Sequence, residues 1–174
     1  MTERLDQQYR IRRARAEEAS MLIALALRSK ASNGYDEAFL RACEAIYNLH
    51  YTPQTIVEGE TWVAENADGL LNGFFDLRRS DDGAEVWAMF VDPRLKRSGV
   101  GRALWRKLET CAQSIGAERI SLAADPFAVP FYSAMGMEVI GTQPIDAIPG
   151  LFLPRLTKRL AKTVKAGRVV DQVR

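Results

Sequence analysis

Apolar positions along the chain change period several times, and each change marks an element. Across 9–13, Tyr9 and Ile11 alternate with polar neighbours, the period of a short strand. Ala16 to Lys30 is rich in Ala, Leu, Met and Glu and predicts a helix, which Ser32-Asn33-Gly34 ends. A second helix is predicted from Asp36 to about Leu49. Asp36 suits the N-cap, and Phe39, Leu40, Cys43 and Ile46 recur at helical spacing. Pro53 to Glu60 is expected to be a connector. Three strands follow at Thr61–Glu65, Leu70–Leu77 and Ala84–Val91, separated by turns at Asp68-Gly69 and Ser80–Gly83. Asp92-Pro93 ends this meander, because proline has no N–H for a ladder.

A long helix is predicted over Val100–Ser114. Val100, Ala103, Leu104, Leu108, Cys111, Ala112 and Ile115 form one apolar stripe, and Gly116 suits its end. Ile120, Leu122 and Ala123 predict a buried strand. A short helix around Ala128–Met135 and a strand around Glu138–Gly141 come next, and Leu151–Leu156 is a candidate last strand. The order β-αα-βββ-α-β-α-β places the chain in the α/β class, with a mixed central sheet flanked by helices.

Composition adds bounds. The 174 residues fit one domain, and 47% apolar with 26% charged residues suits a globular chain with a single sizeable core. Cys43, Cys111 and the lone His50 lack metal-ligand spacing, so no metal is expected. The stretch from Met1 to Arg15 is charged, without an apolar core. Neither a signal peptide nor a bilayer-crossing segment is expected, and the default compartment is the cytoplasm. Net charge is only +2, but Arg94 to Lys107 carries six basic residues and no acidic one. Arg155 to Arg174 carries seven basic residues against Asp171. Such surpluses suit an anionic ligand, although a solvated face is the commoner cause. The basic tail has no aromatics for base stacking, which argues against a nucleic-acid partner.

The chemistry concentrates between Trp87 and Trp105: a strand, a basic loop, Gly99 and Gly101, then an amphipathic helix. The first N–H groups of a helix have no partner within it, and the dipole makes that end positive. Glycines let an anion approach the backbone, so a phosphate or diphosphate is the natural ligand. Alone, the G-x-G is equally a tight strand-to-helix turn. The spacing matches neither Walker A nor the Rossmann fingerprint.

The stretch Val91-Asp92-Pro93 followed by Lys96-Arg97-Ser98-Gly99-Val100-Gly101 resembles the acetyl-CoA motif of the GNAT superfamily, [RQ]-x-x-G-x-[GA] after V-x-P, with Lys96 in place of Arg or Gln. Further on, Asp125 to Met137 is similar to that family's [ND]-x-x-A-x-x-F-Y-x-x-x-G-F segment, with Met137 in place of Phe. The resemblance implies the GNAT N-acyltransferase fold and an N-acetyltransferase that moves an acetyl group from acetyl-CoA to a primary amine in a ternary complex. It implies that Met89, Phe90 and Val91 hold the acetyl carbonyl and pantetheine, and that Arg97, Ser98, Gly99, Val100, Gly101 and Arg102 hold the diphosphate. Tyr132 matches the tyrosine that protonates the departing thiolate; its alternative is a half-buried core aromatic beside Phe131. Asp125 matches a coenzyme contact, and is equally a helix cap.

The base is less marked. Glu85 shares a face with Trp87 and Met89 by strand alternation and is the candidate, against an exposed strand-edge charge. His50 is a second candidate, since an imidazole is a common base near neutral pH, but a lone histidine is more often incidental. Arg28-Ser29-Lys30-Ala31-Ser32-Asn33-Gly34-Tyr35 resembles the R-S-K-A-x-W-G-Y segment of a bacterial GNAT subgroup acting on small molecules, with Asn33 in place of Trp. The resemblance makes Ser29, Lys30 and Tyr35 candidate acceptor contacts. Ile148 to Pro154 resembles a late segment of that subgroup, expected to close the other side of the acceptor groove. The resemblance covers about 9–156, leaving a basic tail at about 157–174. A homodimer is common in this superfamily. Transfer to a protein N-terminus or lysine, and acyl-CoA binding without turnover, are the alternatives to a small-molecule acceptor.

Overall fold

The computed structural model of the chain describes residues 9–161. Seven strands form one sheet: β1 (Arg10–Arg13), β2 (Glu60–Glu65), β3 (Leu71–Ser80), β4 (Gly83–Val91), β5 (Arg119–Ala123), β6 (Glu138–Pro144) and β7 (Phe152–Arg159). Their spatial order is β1-β2-β3-β4-β5-β7-β6. The expected mixed α/β sheet is therefore present, with a seventh strand. All neighbours are antiparallel except β4 and β5. That parallel step needs a crossover, which α4 (Val100–Ser114) supplies over one face.

On the opposite face lie α1 (Ala19–Ala31), α2 (Glu37–His50) and α3 (Pro53–Glu58), while α5 (Val129–Ala134) follows β5. The Asp36 carboxylate caps α2 by accepting from the Phe39 N–H at 2.8 Å. The connector expected over Pro53–Glu60 is instead largely α3. Thr52 accepts from the Thr55 N–H as its N-cap, and Pro53 stands in the first turn, where no N–H is required. The α1 region opens with a 3-10 turn, Ala16–Glu18, so the α-helix starts later than expected. The last strand runs on to Arg159, drawing the start of the expected tail into the sheet. The rest of that tail lies outside the described residues.

Two apolar layers enclose the sheet. Under α4, Val100, Leu104, Leu108 and Ala112 pack with Phe75, Ile120 and Leu156. Trp105 joins them, widening the stripe expected on that helix. Removing a fully buried leucine such as Leu104 to alanine costs about 2–5 kcal/mol in such a core. Under α1 and α2, Leu22, Leu25, Cys43 and Tyr47 meet Val63 and Phe74.

The feature that opens a site is the fate of β4. It pairs with β5 at Ala84–Ile120 and Glu85–Ser121, its first residues. Against β3, Asp76 faces Ala88 while Leu77 faces Val86, so Trp87 is an extra, bulged residue. Trp87 and Ala88 consequently both join the layer under α1 and α2, whereas Met89 joins the layer under α4. The expectation that Glu85, Trp87 and Met89 share one face is thereby corrected. The bulge breaks the period-2 alternation beyond Trp87, and from there β4 and β5 part.

Candidate active site

Between the parted strands lies a cavity of about 300 Å³. Met89 and Phe90 of β4 line it, as do Glu85 and Trp87, with Leu122, Asp125 and Tyr132 across from them. Ser29, Lys30 and Asn33 at the end of α1 close one side, and Ile148, Leu151 and Leu153 ahead of and within β7 close another. Seven of the residues picked from the sequence therefore meet in one space: Ser29, Lys30, Glu85, Met89, Phe90, Asp125 and Tyr132.

The loop after β4 has the features that fit an anion. The Asp92 carboxylate, 1% exposed, caps the 3-10 turn Pro93–Leu95 by accepting from the Arg94 N–H at 3.0 Å. It also accepts from Arg94 Nε and Nη2, both at 2.9 Å, and from Arg28 Nη2 at 3.3 Å. The bonds from the Arg94 side chain foremost hold the Asp92 carboxyl down at about 2. Past this anchor the backbone turns left-handed at Arg97 (φ +70°) and again at Gly99 (φ +95°). Residues of that conformation gather successive amides into an anion-binding concavity. Among the described residues, no side chain caps the amides opening α4 at Gly99. The Ser98 hydroxyl is buried with no hydrogen-bond partner among the described residues. An orphaned hydroxyl, uncapped helix amides and the exposed Arg97 and Arg102 together fit an oxyanion such as a diphosphate.

Val100 is wholly buried and belongs to the core under α4. Gly101 is glycine for packing as well as access: a Cβ there would lie 3.1 Å from Cε2 of Phe131. That contact ties the start of α4 to α5, which carries Tyr132. Val91 packs in the same layer, and its side chain would lie 3.7 Å from that Cβ.

Tyr132 is 7% exposed and rests edge-on to Trp105 and Phe131. Burial, and then the Asp125 carboxylate, push its phenol well above the ordinary value, so it stays protonated. Asp125 serves as cap and as ion-pair partner. It accepts from the Phe127 N–H at 3.0 Å and from Lys30 Nζ at 2.8 Å, which joins the end of α1 to the end of β5. Tyr35 stacks on Phe39 and sits under the Lys30 ammonium, 5.3 Å from its ring centre, outside the cavity wall. Burial and the Asp125 charge push the Tyr35 phenol up to about 12. Lys96, at the motif's Arg or Gln position, reaches Ser32 Oγ at 3.2 Å and Asn33 Oδ1 at 3.4 Å. It ties the loop to the α1 end.

Glu85 is neither a free base nor an exposed edge charge. Arg155 of β7 grips both its oxygens, Nη2 donating to Oε2 at 2.8 Å and Nη1 to Oε1. His50 is likewise engaged: Nε2 lies 2.8 Å from the buried Asp76 carboxylate, and its ring stacks on Trp87 at 3.5 Å. Asp92, Arg155 and Phe131 were not singled out from the sequence. Only Asp92 carried a local signal, as the residue before a proline that opens a turn. Among the described residues, no three of His, Cys, Asp and Glu gather as a metal site, and no helix is long and apolar enough to cross a membrane.

Residues 30–147 match the acetyltransferase (GNAT) domain family. Solved structures share the fold. The PaiA N-acetyltransferase of Thermoplasma acidophilum, in complex with coenzyme A, superposes with a TM-score of 0.70 at 20% identity, covering 87% of this chain and 99% of that one. A GCN5-related N-acetyltransferase from Rhodopseudomonas palustris gives 0.72 at 22% identity, over 88% and 96%. Apo YjaB from Escherichia coli gives 0.62 at 27% identity, over 86% and 95%. With more than half of its length matched, this chain belongs to the GNAT acetyltransferase family, whose acyl donor is acetyl-CoA.

Proposed function

We propose that the chain is an N-acetyltransferase, one domain over 1–174 working in the cytoplasm, that acetylates a primary amine of a small molecule by direct attack in a ternary complex. One observation carries this reading: β4 and β5 part after Glu85 to open a cavity lined by Met89 and Phe90, and the chain runs on from those residues into the uncapped amides of Gly99–Arg102. Acetyl-CoA supplies the acetyl group as a thioester; the amine's lone pair forms the C–N bond as the C–S bond breaks, the amine yielding one proton and the thiolate taking one.

The chain's residues divide that work. The amides at Gly99 to Arg102, the Ser98 hydroxyl and the Arg97 and Arg102 side chains bind the diphosphate. Met89, Phe90 and Val91 run alongside the pantetheine arm, and their backbone amides stabilise negative charge growing on the carbonyl oxygen. Asp125 flanks that arm and, through Lys30, sets the α1 end against it. Tyr132 donates its phenolic proton toward the sulfur. Ser29 and Lys30 border the acceptor, with Tyr35 holding Lys30 in place. Glu85 takes the amine's proton through water while Arg155 fixes its orientation.

A second reading, acyl-CoA binding without turnover, is favoured by the two-point grip of Arg155 on Glu85, which occupies the oxygens a base would use. Thiol release separates the two. With acetyl-CoA and a panel of amines, peptides and aminoglycosides, transfer liberates free CoA above hydrolysis. A chain that binds acetyl-CoA but releases none with any acceptor is a binding module.

A further inference from the structure

The cavity's walls sort its acceptors. Its lining is aromatic at Phe39, Tyr47 and Trp87 and aliphatic at Ile145, Ile148 and Leu153. The two carboxylates in the lining are both matched internally: Glu85 by Arg155, and Asp125 by Lys30 at 2.8 Å. Lys30 is itself 9% exposed, so its ammonium is a fixed feature of that end rather than a mobile surface charge. A polyamine or aminoglycoside brings several ammonium groups, and each needs a carboxylate or water in exchange for its hydration. Here those ammoniums would meet apolar walls, or would have to displace Arg155 or Lys30 from pairs already made, leaving a buried charge without its partner. The neutral polar groups are Ser29, Asn33 and Gln143 with the Tyr47 and Tyr132 phenols, and none of them carries the negative charge that an ammonium would take in exchange for its hydration. At about 300 Å³ the space is also at the small end for a ligand pocket, and the acetyl end of the coenzyme would take up the part of it along Met89, Phe90 and Tyr132.

From this we infer that the acceptor is a small monoamine with one apolar body, an arylalkyl or branched alkyl amine, rather than a polyamine, aminoglycoside or peptide. The body lies against Trp87 and Ile148, and the single amine points toward Glu85. The inference rests on the transfer proposed above, and the group transferred and the bonds exchanged are the same.

The test is kcat/KM at saturating acetyl-CoA for 2-phenylethylamine, 3-methylbutylamine, spermidine, an aminoglycoside and a lysine-containing peptide. Calorimetry with acetyl-CoA runs alongside. The expected result is a preference of about a hundredfold for the two monoamines, the scale on which a site rejects groups it leaves unpaired. Ile148→Glu, placing an unmatched carboxylate on the aliphatic wall, should lower the monoamine-to-spermidine ratio about tenfold and leave acetyl-CoA affinity as it was. Spermidine, the aminoglycoside or the peptide turned over as well as the monoamines would overturn the acceptor class while leaving amine transfer intact, as would a ratio unmoved by Ile148→Glu. Acetyl-CoA binding with no CoA release from any amine would overturn both. Absence of acetyl-CoA binding would remove the coenzyme site itself.

Discussion

Tyr132 and Asp92 show how single side chains are prepared for the chemistry. Tyr132 keeps its proton because burial resists the phenolate, so Tyr132→Phe removes a donor and little volume. Turnover should fall by about a hundredfold, the low end for a lost general acid, with acetyl-CoA affinity unchanged in calorimetry. Unchanged single-turnover rates would remove its proton from the mechanism. Asp92 acts at a distance, holding the turn that aims the loop. Its carboxyl titrates near 2 in the folded chain against an ordinary 3.8. Its stabilisation is therefore complete above about pH 4 and drains away as pH falls through 2. Asp92→Asn should cost about 1–3 kcal/mol at pH 7, as for hydrogen bonds to a charged group, and visibly less at pH 3 by urea titration. At this scale the sequence motif singled out Tyr132 and Gly99 by their chain neighbours alone, and the folded chain adds Trp105 against the Tyr132 ring. The motif was silent on Arg155, which stands 70 residues from Glu85 and meets it only through the β4–β5–β7 pairing.

At the scale of elements, the site exists because β4 is irregular. Strand alternation located β4, and the apolar stripe located α4, expected at roughly Val100 to Ser114 and found there. The bulge at Trp87 was not legible, since a period-2 pattern carries no mark of one inserted residue whose side chain still packs. The missed α3 was recoverable: Thr52-Pro53 is a capping residue followed by a proline preset for the first turn. The contact between α4 and α5 makes its own prediction. A Cβ at position 101 would press on Phe131 at 3.1 Å. Gly101→Ala gains about 0.5–1 kcal/mol of helix preference, which offsets the crowding, so the melting temperature should barely move. Acetyl-CoA affinity should nonetheless fall about threefold to tenfold, ~1 kcal/mol, because the ring displaces the turn that presents the amides. Equal affinities for the two proteins would mean that the Phe131 contact plays no part in shaping the loop.

Across the whole molecule, one parallel step in an otherwise antiparallel sheet brings two helix starts, α4 and α5, to the same side of the opening. The end of α1 completes the enclosure through the Lys30–Asp125 and Lys96–Ser32 contacts, and the β6–β7 hairpin lines it with Ile145, Ile148 and Leu153. Fold class and coenzyme loop were visible in the sequence because both are local patterns. The cavity was visible only as two separate stretches, about Ser29 and about Ile148, because its walls come from residues spread between 29 and 153. The central claim is that the amides opening α4 hold the coenzyme's diphosphate. Amide NMR during titration with coenzyme A tests it most directly. Saturable shifts should be largest at Ser98, Gly99, Val100, Gly101 and Arg102, and should weaken when inorganic diphosphate competes. Coenzyme A that binds while those five amides stay unmoved, or that does not bind at millimolar concentration, would contradict it.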